Sequence, residues 1–147
     1  MTVVPMGERH LDEIARLESL CFSEPWSRKA LEEELENPTA MFLVAEENGV
    51  VLGYAGMHAV CGEGYIDNIA VFPEHRRNGV ARRLITELAD RLSQQDGEFL
   101  TLEVRASNEA AISLYHSMGF SEVGRRPRFY TNPTEDALLL TFSLRNQ

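Results

Sequence analysis

Apolar residues recur along the chain at two spacings, and each switch between them marks a new element. Thr2 to Pro5 reads as a short strand. From His10 to Phe22, Leu11, Ile14, Leu17, Leu20 and Cys21 fall three and four apart, the stripe of one helix face. Pro25-Trp26-Ser27 breaks that helix, and Ser27 can cap a second one running through Asn37 with Ala30, Leu31 and Leu35 inward. Asn37-Pro38 ends it. Ala40 to Glu46 and Val50 to Cys61 are predicted strands joined at Asn48-Gly49, a hairpin signal. Tyr65 to Phe72 is β-branched and aromatic, a strand stopped by Pro73, which has no N–H for a ladder. Val80, Leu84, Leu88 and Leu92, with Ala81 and Ile85 beside them, predict a long helix. Leu100, Leu102 and Val104 alternate with Thr101 and Glu103 in a strand over Phe99 to Val104. Asn108 to Met118 is a helix capped by Ser107 or Asn108 and stopped by Gly119, and Ser121 to Phe129 and Ala137 to Leu144 close the chain as a β pair.

The predicted order is β-α-α-β-β-β-α-β-α-β-β. Strands four and five flank the long helix as a βαβ unit and should be parallel, while the other strands meet as hairpins. The expected fold class is α/β (α+β), one mixed sheet of about seven strands flanked by about four helices. At 147 residues the chain is expected to form one domain, residues 1–147, with a core of ordinary size. Its 44% hydrophobic and 25% charged residues exclude a disordered or fibrous class. No apolar run reaches the roughly 18 residues of a membrane span, and the start has no export signal, so a cytoplasmic protein is expected. Cys21 and Cys61 stand alone and are expected to be buried thiols.

One loop departs from this ordinary picture. Arg76, Arg77, Arg82 and Arg83 crowd the start of the long helix around Asn78-Gly79. Arginine opposes the macrodipole there, so the cluster is unfavourable unless something negative binds. A strand, a glycine loop and a helix start gather free N–H groups where an anion can sit. Without these four arginines the chain has 10 basic residues against 23 acidic, so the patch stands alone in a protein of net charge −9. The bland reading is a solvated helix start; the functional one is a phosphate or pyrophosphate cradle. A Walker loop needs lysine followed by Ser or Thr, but the one lysine, Lys29, precedes Ala30. A dinucleotide fingerprint needs its glycines between strand and helix, whereas Gly62-Glu63-Gly64 leads into a strand.

A second constellation lies in the run Leu102-Glu103-Val104-Arg105-Ala106-Ser107-Asn108, continued by Tyr115 and Gly119-Phe120. Glu103 is a carboxylate within a strand, which is costly to desolvate without a reason. Either it is a general base or its strand face is exposed, as Thr101 and Arg105 on the same parity would suggest. Tyr115 shares a helix face with Asn108, a spacing at which most tyrosines are core residues. His10, His58, His75 and His116 form no metal-ligand spacing, so no metal is expected.

Taken together, Arg76-Arg77-Asn78-Gly79-Val80-Ala81 and the run from Leu102 to Phe120 resemble the GCN5-related N-acetyltransferase (GNAT) superfamily along the whole chain. Leu-Glu-Val-Arg-Ala-Ser-Asn and Glu135-Asp136-Ala137-Leu138 are similar to its bacterial ribosomal-protein-alanine N-acetyltransferases. Arg76 replaces the family's usual Gln, Ala81 its last Gly, and the segment between Tyr130 and Glu135 is about two residues shorter. The resemblance implies the acyl-CoA N-acyltransferase fold, with strands four and five splayed near Ile69-Ala70-Val71 so that this backbone can bind the pantetheine arm of acetyl-CoA. It implies a pyrophosphate on the N–H groups of Arg77, Asn78, Gly79, Val80, Ala81 and Arg82, and a cofactor contact at Asn108. It makes Glu103 the base and Tyr115 the proton donor to the CoA sulfur.

The implied acceptor is a protein N-terminus, the N-terminal alanine of a small-subunit ribosomal protein, with Trp26 and Tyr130 either shaping its pocket or merely packing. The acidic surface suits a basic polypeptide and argues against general nucleic-acid binding. The expected form is a monomer. A lysine side chain or small amine is the alternative acceptor, and a non-catalytic acyl-CoA-binding module the alternative class; retention of both Glu103 and Tyr115 weighs against the latter.

Overall fold

In the computed structural model, which describes residues 1–145, the elements follow the predicted order. Strand β1 (Thr2–Pro5) leads through a 3-10 turn into helices α1 (Leu11–Cys21) and α2 (Arg28–Glu34). Strands β2 (Ala40–Glu47), β3 (Val50–Val60) and β4 (Glu63–Val71) precede α3 (Val80–Gln94). Strand β5 (Phe99–Arg105), helix α4 (Glu109–Ser117) and strands β6 (Ser121–Tyr130) and β7 (Glu135–Ser143) complete the chain. None of the described helices is long and apolar enough to cross a membrane.

Local chemistry explains the boundaries. Ser27 Oγ accepts the Ala30 N–H at 3.1 Å and starts α2. That helix ends at Glu34 rather than Asn37, because Asn37 turns its side-chain oxygen onto the Thr39 N–H, 2.9 Å, and draws the chain out ahead of Pro38. Asn108, not Ser107, caps α4, with Oδ1 3.1 Å from the Ala111 nitrogen. Asn48 and Gly49 both take positive φ, 52° and 80°, as a two-residue hairpin requires. Cys61 and Gly62 form a second such turn, φ 53° and 83°, which starts β4 at Glu63, earlier than Tyr65. Cys61 is therefore exposed on a hairpin tip and Cys21 only partly buried, so neither is the buried thiol expected from composition.

The sheet order is β1-β2-β3-β4-β5-β7-β6. Strands β1 to β4 pair antiparallel, as do β5, β7 and β6. The two halves are joined by a parallel β4–β5 ladder running only from Glu63 opposite Phe99 to Ile66 opposite Leu102. Beyond that point the strands part. The β3–β4 ladder also slips there: Gly56 faces Asn68 while Met57 faces Ile66, leaving Asp67 as an extra residue. The bulge turns two consecutive polar side chains, Asp67 and Asn68, toward α2 and α1, where they meet His58 with Glu34, and Glu18.

Helix α3 buries Val80, Leu84, Ile85, Leu88 and Leu92 in a core shared with Leu100, Leu102, Val104 and Tyr115. Each of those leucines contributes about 2 kcal/mol of apolar burial. The opposite face packs Leu11, Ile14 and Leu17 of α1 and Leu31 of α2 against Phe42, Val44, Tyr54, Ala70 and Phe72. Strand β6 forms one rim of the sheet and is largely exposed. Its pairing with β7 slips between Arg126 and Tyr130, around Pro127 and an Arg128 at φ 51°.

Candidate active site

Where β4 and β5 part, a cleft of about 520 Å³ opens. It is lined by Tyr65, Asp67, Asn68 and Ile69 of β4, by Glu103, Val104 and Arg105 of β5, and by Asn108 and Tyr115. Cys21 through Glu24, Trp26, and Phe129 through Thr131 enclose the rest. A smaller hollow lies beside it, lined by Val71, His75 to Arg77, Gly79 to Arg82 and Leu114.

The hollow is made chiefly of backbone. Arg83 N–H is the first of α3 to bond within the helix, to the Gly79 carbonyl at 3.0 Å, so those of Val80, Ala81 and Arg82 precede the ladder. Gly79 at φ 78° and Arg77 at φ 64° curl the chain around this point, and a Cβ on Gly79 would meet nothing within 4 Å. The space and donors fit an anion such as the pyrophosphate of a nucleotide. The arginines divide. Arg76 donates to the Val71 carbonyl at 3.1 Å and Arg82 to Ser117 Oγ at 2.8 Å, while Arg83 pairs with Glu87. Arg76 thus occupies one backbone group of the Ile69-Ala70-Val71 stretch. Ala70 turns its side chain into the α1-side core, and Asn78 lines neither hollow nor cleft.

Glu103 and Tyr115 reach the cleft from opposite faces of the sheet. Leu102 and Val104 pack with Tyr115 in the α3-side core, so Glu103, of the other parity, points to the other face. Its side chain is only 5% exposed, which rules out the open-face reading. The Tyr65 hydroxyl donates to Oε1, and Arg126 Nε stands 3.0 Å from Oε2. That ion pair lacks hydrogen-bond alignment, so buried Oε2 has no hydrogen-bond partner among the described residues. Tyr115 is 8% exposed; burial, then the nearby Tyr130, pushes its hydroxyl up to about 12, so it keeps its proton at neutral pH. No hydrogen bond engages that hydroxyl among the described residues.

Around these two groups lie networks that pattern reading did not identify. Glu18, fully buried, accepts from Trp26 N–H at 2.8 Å, Tyr54 Oη at 2.6 Å and Asn68 Nδ2 at 3.0 Å. Burial raises its pKa despite these donors. His58 bridges Asp67 and Glu34, the latter at 2.8 Å; burial would lower its pKa, but the hydrogen bonds to Glu34 and Asp67 outweigh it and raise it. Across the mouth, the Thr131 hydroxyl donates to Glu24, and Ser23 Oγ lies 3.4 Å from the Thr131 carbonyl.

The model of the acetyltransferase (GNAT) family matches residues 11–120. The chain belongs to that family. It is 33% identical over 145 residues to the [ribosomal protein bS18]-alanine N-acetyltransferase of Escherichia coli strain K12, covering 97% of each chain. It is 34% identical over 143 residues to the N-alpha-acetyltransferase RimI of Mycobacterium tuberculosis strain H37Rv, covering 93% of this chain and 89% of that protein. The crystal structure of the ribosomal-protein-S18-alanine N-acetyltransferase from E. coli superposes with a TM-score of 0.89 at 32% identity, covering 97% of this chain and 93% of that one.

As a GNAT protein the chain has the expected mixed sheet and the parting of strands four and five. The cleft brings together Glu103, Tyr115, Asn108 and Ile69, and the adjoining hollow Val71, Arg77 and Gly79 to Arg82. Asn108 spends its side-chain oxygen on the α4 cap. Trp26 and Tyr130 both line the cleft, and Trp26 also packs on Phe42 of the α1-side core, ring centroids 5.7 Å apart. Tyr65, Asp67, Arg126, Glu18 and Thr131 were missed; the one signal available was Glu18, an acid four residues after Ile14 on an apolar helix face.

Proposed function

We propose that this protein transfers the acetyl group of acetyl-CoA to the α-amine of a protein N-terminus, with the N-terminal alanine of a ribosomal protein its preferred acceptor. The observation carrying this reading is the convergence of a buried carboxylate, Glu103, and a protonated hydroxyl, Tyr115, on one cleft from opposite faces of a parted sheet. Acetyl-CoA, when bound, supplies a thioester carbonyl for the amine to attack. The N–H groups of Val80, Ala81 and Arg82, with those of Arg77, Asn78 and Gly79, would hold its pyrophosphate, and the free edge of β4 after Ile66 its pantetheine arm.

An α-amine with a pKa of ~8 arrives largely as ammonium and cannot attack until it loses a proton. Glu103 Oε2, buried without a hydrogen bond, can take that proton directly or through a water. As the new C–N bond forms and the C–S bond breaks, Tyr115 gives its proton to the departing sulfur, the nitrogen gives up its second proton through solvent, and Tyr115 regains one the same way. The loops of Ser23-Glu24 and Thr131 meet across the mouth, which favours a chain end over a polypeptide lying through the cleft. The relatives' names point to the same acceptor class.

Peptides sharing a basic tail but beginning with Ala, Ser or Leu, plus an Nα-blocked peptide with an internal lysine, test the reading. The alanine peptide should be acetylated fastest. If the blocked lysine peptide matches it, the acceptor is a side-chain amine and the N-terminal reading fails.

A further inference from the structure

We infer that Arg105 is a positioning residue that seats the acceptor-side wall of the cleft; the inference rests on the N-terminal acetyltransferase reading. Arg105 lies two residues after Glu103 on the same face of β5, at the end of its ladder opposite Ala137. Its guanidinium donates through Nη1 to the Pro133 carbonyl at 2.9 Å and to Glu135 Oε1 at 3.3 Å, and through Nη2 to the Thr131 carbonyl at 2.9 Å. Its plane also covers the Tyr130 ring, with Cζ 4.5 Å from the centroid. Glu135 is fixed in turn, because its Oε2 accepts the Ser107 N–H at 2.6 Å.

These contacts gather the whole β6–β7 turn onto one side chain. The turn from Thr131 to Thr134 has no backbone hydrogen bond of its own between Tyr130 and Glu135, the last pair before it. Arg105 supplies donors to two of its carbonyls, at shorter distance than the Ser23 hydroxyl that also reaches Thr131. Through Thr131 the same anchor extends to Glu24 and Ser23, across the cleft mouth. The task calls for arginine: its planar fork reaches two carbonyls and a carboxylate while its face stacks on a ring, which a lysine ammonium cannot do together.

The test compares wild type, Arg105→Lys and Arg105→Gln in three measurements. KM for the alanine peptide should rise roughly 10-fold or more in both variants, the loss expected when a hydrogen-bonded wall is released. Acetyl-CoA affinity by calorimetry should stay within about twofold, since the contacts of Arg105 go to Tyr130, Thr131, Pro133 and Glu135 and none goes to the α3 start. Amide hydrogen exchange at Ala106 and Ser107 of the free protein, whose N–H groups bond to the Asp136 carbonyl and to Glu135 Oε2, should quicken, a readout that needs no acceptor. A lysine variant with wild-type peptide KM and exchange would overturn the inference, as would a glutamine variant that loses acetyl-CoA affinity in step with peptide affinity. The lysine variant keeps the charge and decides the matter should the glutamine variant not fold. If wild type acetylates none of the peptides, the function proposed above fails, and hydrogen exchange at Ala106 and Ser107 still decides the role of Arg105.

Discussion

The two sides of the cleft are built from different materials. Around the start of α3 the polar groups at the hollow are backbone N–H donors shaped by Gly79 and Arg77 at positive φ. On the acceptor side they are side chains joining segments far apart in the chain, such as Glu24 to Thr131 across 107 residues and Glu18 to Asn68 across 50. A backbone site depends on local dihedrals and tolerates most side-chain changes except those that alter φ or charge. A side-chain site depends on the tertiary fold and is sensitive to each partner.

That contrast can be broken at several points. Gly79→Asp should produce the largest effect, a loss of acetyl-CoA affinity of roughly 10³-fold, from a negative charge placed against the pyrophosphate. Gly79→Asn, which tolerates positive φ and has room for a Cβ, should bind within a few-fold of wild type by calorimetry. Equal losses in the two variants would mean the hollow is not built as described. Next, Glu103→Gln and Tyr115→Phe should each lower turnover by roughly 10²-fold or more while leaving acetyl-CoA affinity intact. A variant that turns over normally in a chemistry-limited assay would remove its residue from the mechanism.

Smaller effects sharpen the acceptor side. Glu18 accepts from Trp26 N–H, Asn68 Nδ2 and the Tyr54 hydroxyl, so Glu18→Gln loses one acceptor oxygen; its N–H₂ can donate only to the Tyr54 oxygen, which leaves the Tyr54 O–H without its acceptor. A loss of about 1–3 kcal/mol is expected in denaturant unfolding, and an unchanged midpoint would mean the network adds nothing. The smallest effect concerns His58. Its pKa is raised in the fold, so its contribution is fully present below the unfolded value of about 6.5 and is lost as pH rises through the folded value. Urea midpoints between about pH 6 and 9 should decline in wild type, and the decline should flatten in His58→Gln. Parallel curves would show that Glu34 and Asp67 do not hold an imidazolium.

What could be read in advance follows the same division. The periodicities located most of the α-helices and strands, because burial on one face of an element imposes them directly, whereas β6 is largely exposed. The hollow at the α3 start was legible because a tight turn there favours a glycine at positive φ and because four arginines at a helix start stand against its dipole. Glu103 stood out as an acid in an apolar strand. Asp67 did not, because only the slipped β3–β4 pairing makes it an extra residue turned toward His58. Arg126 is one of three arginines on an exposed strand, and nothing nearby in the chain says that it alone reaches Glu103. Glu24 and Thr131 meet only after the whole sheet has formed.

The irregular rim strand has a consequence of its own. A strand at the edge of a sheet leaves a row of donors and acceptors facing water, a template on which another chain can add itself. In β6 that row is broken: Pro127 has no N–H, Arg128 at φ 51° turns out of the pleat, and the register slips between Arg126 and Tyr130. Arg125, Arg126 and Arg128 add like charges that two copies would have to bring together. The interruption lies in the stretch that delivers Phe129 and Tyr130 to the cleft. The distortion that carries two aromatic rings to the cleft also interrupts, beside the exposed Phe129, the row of groups on which another strand would pair.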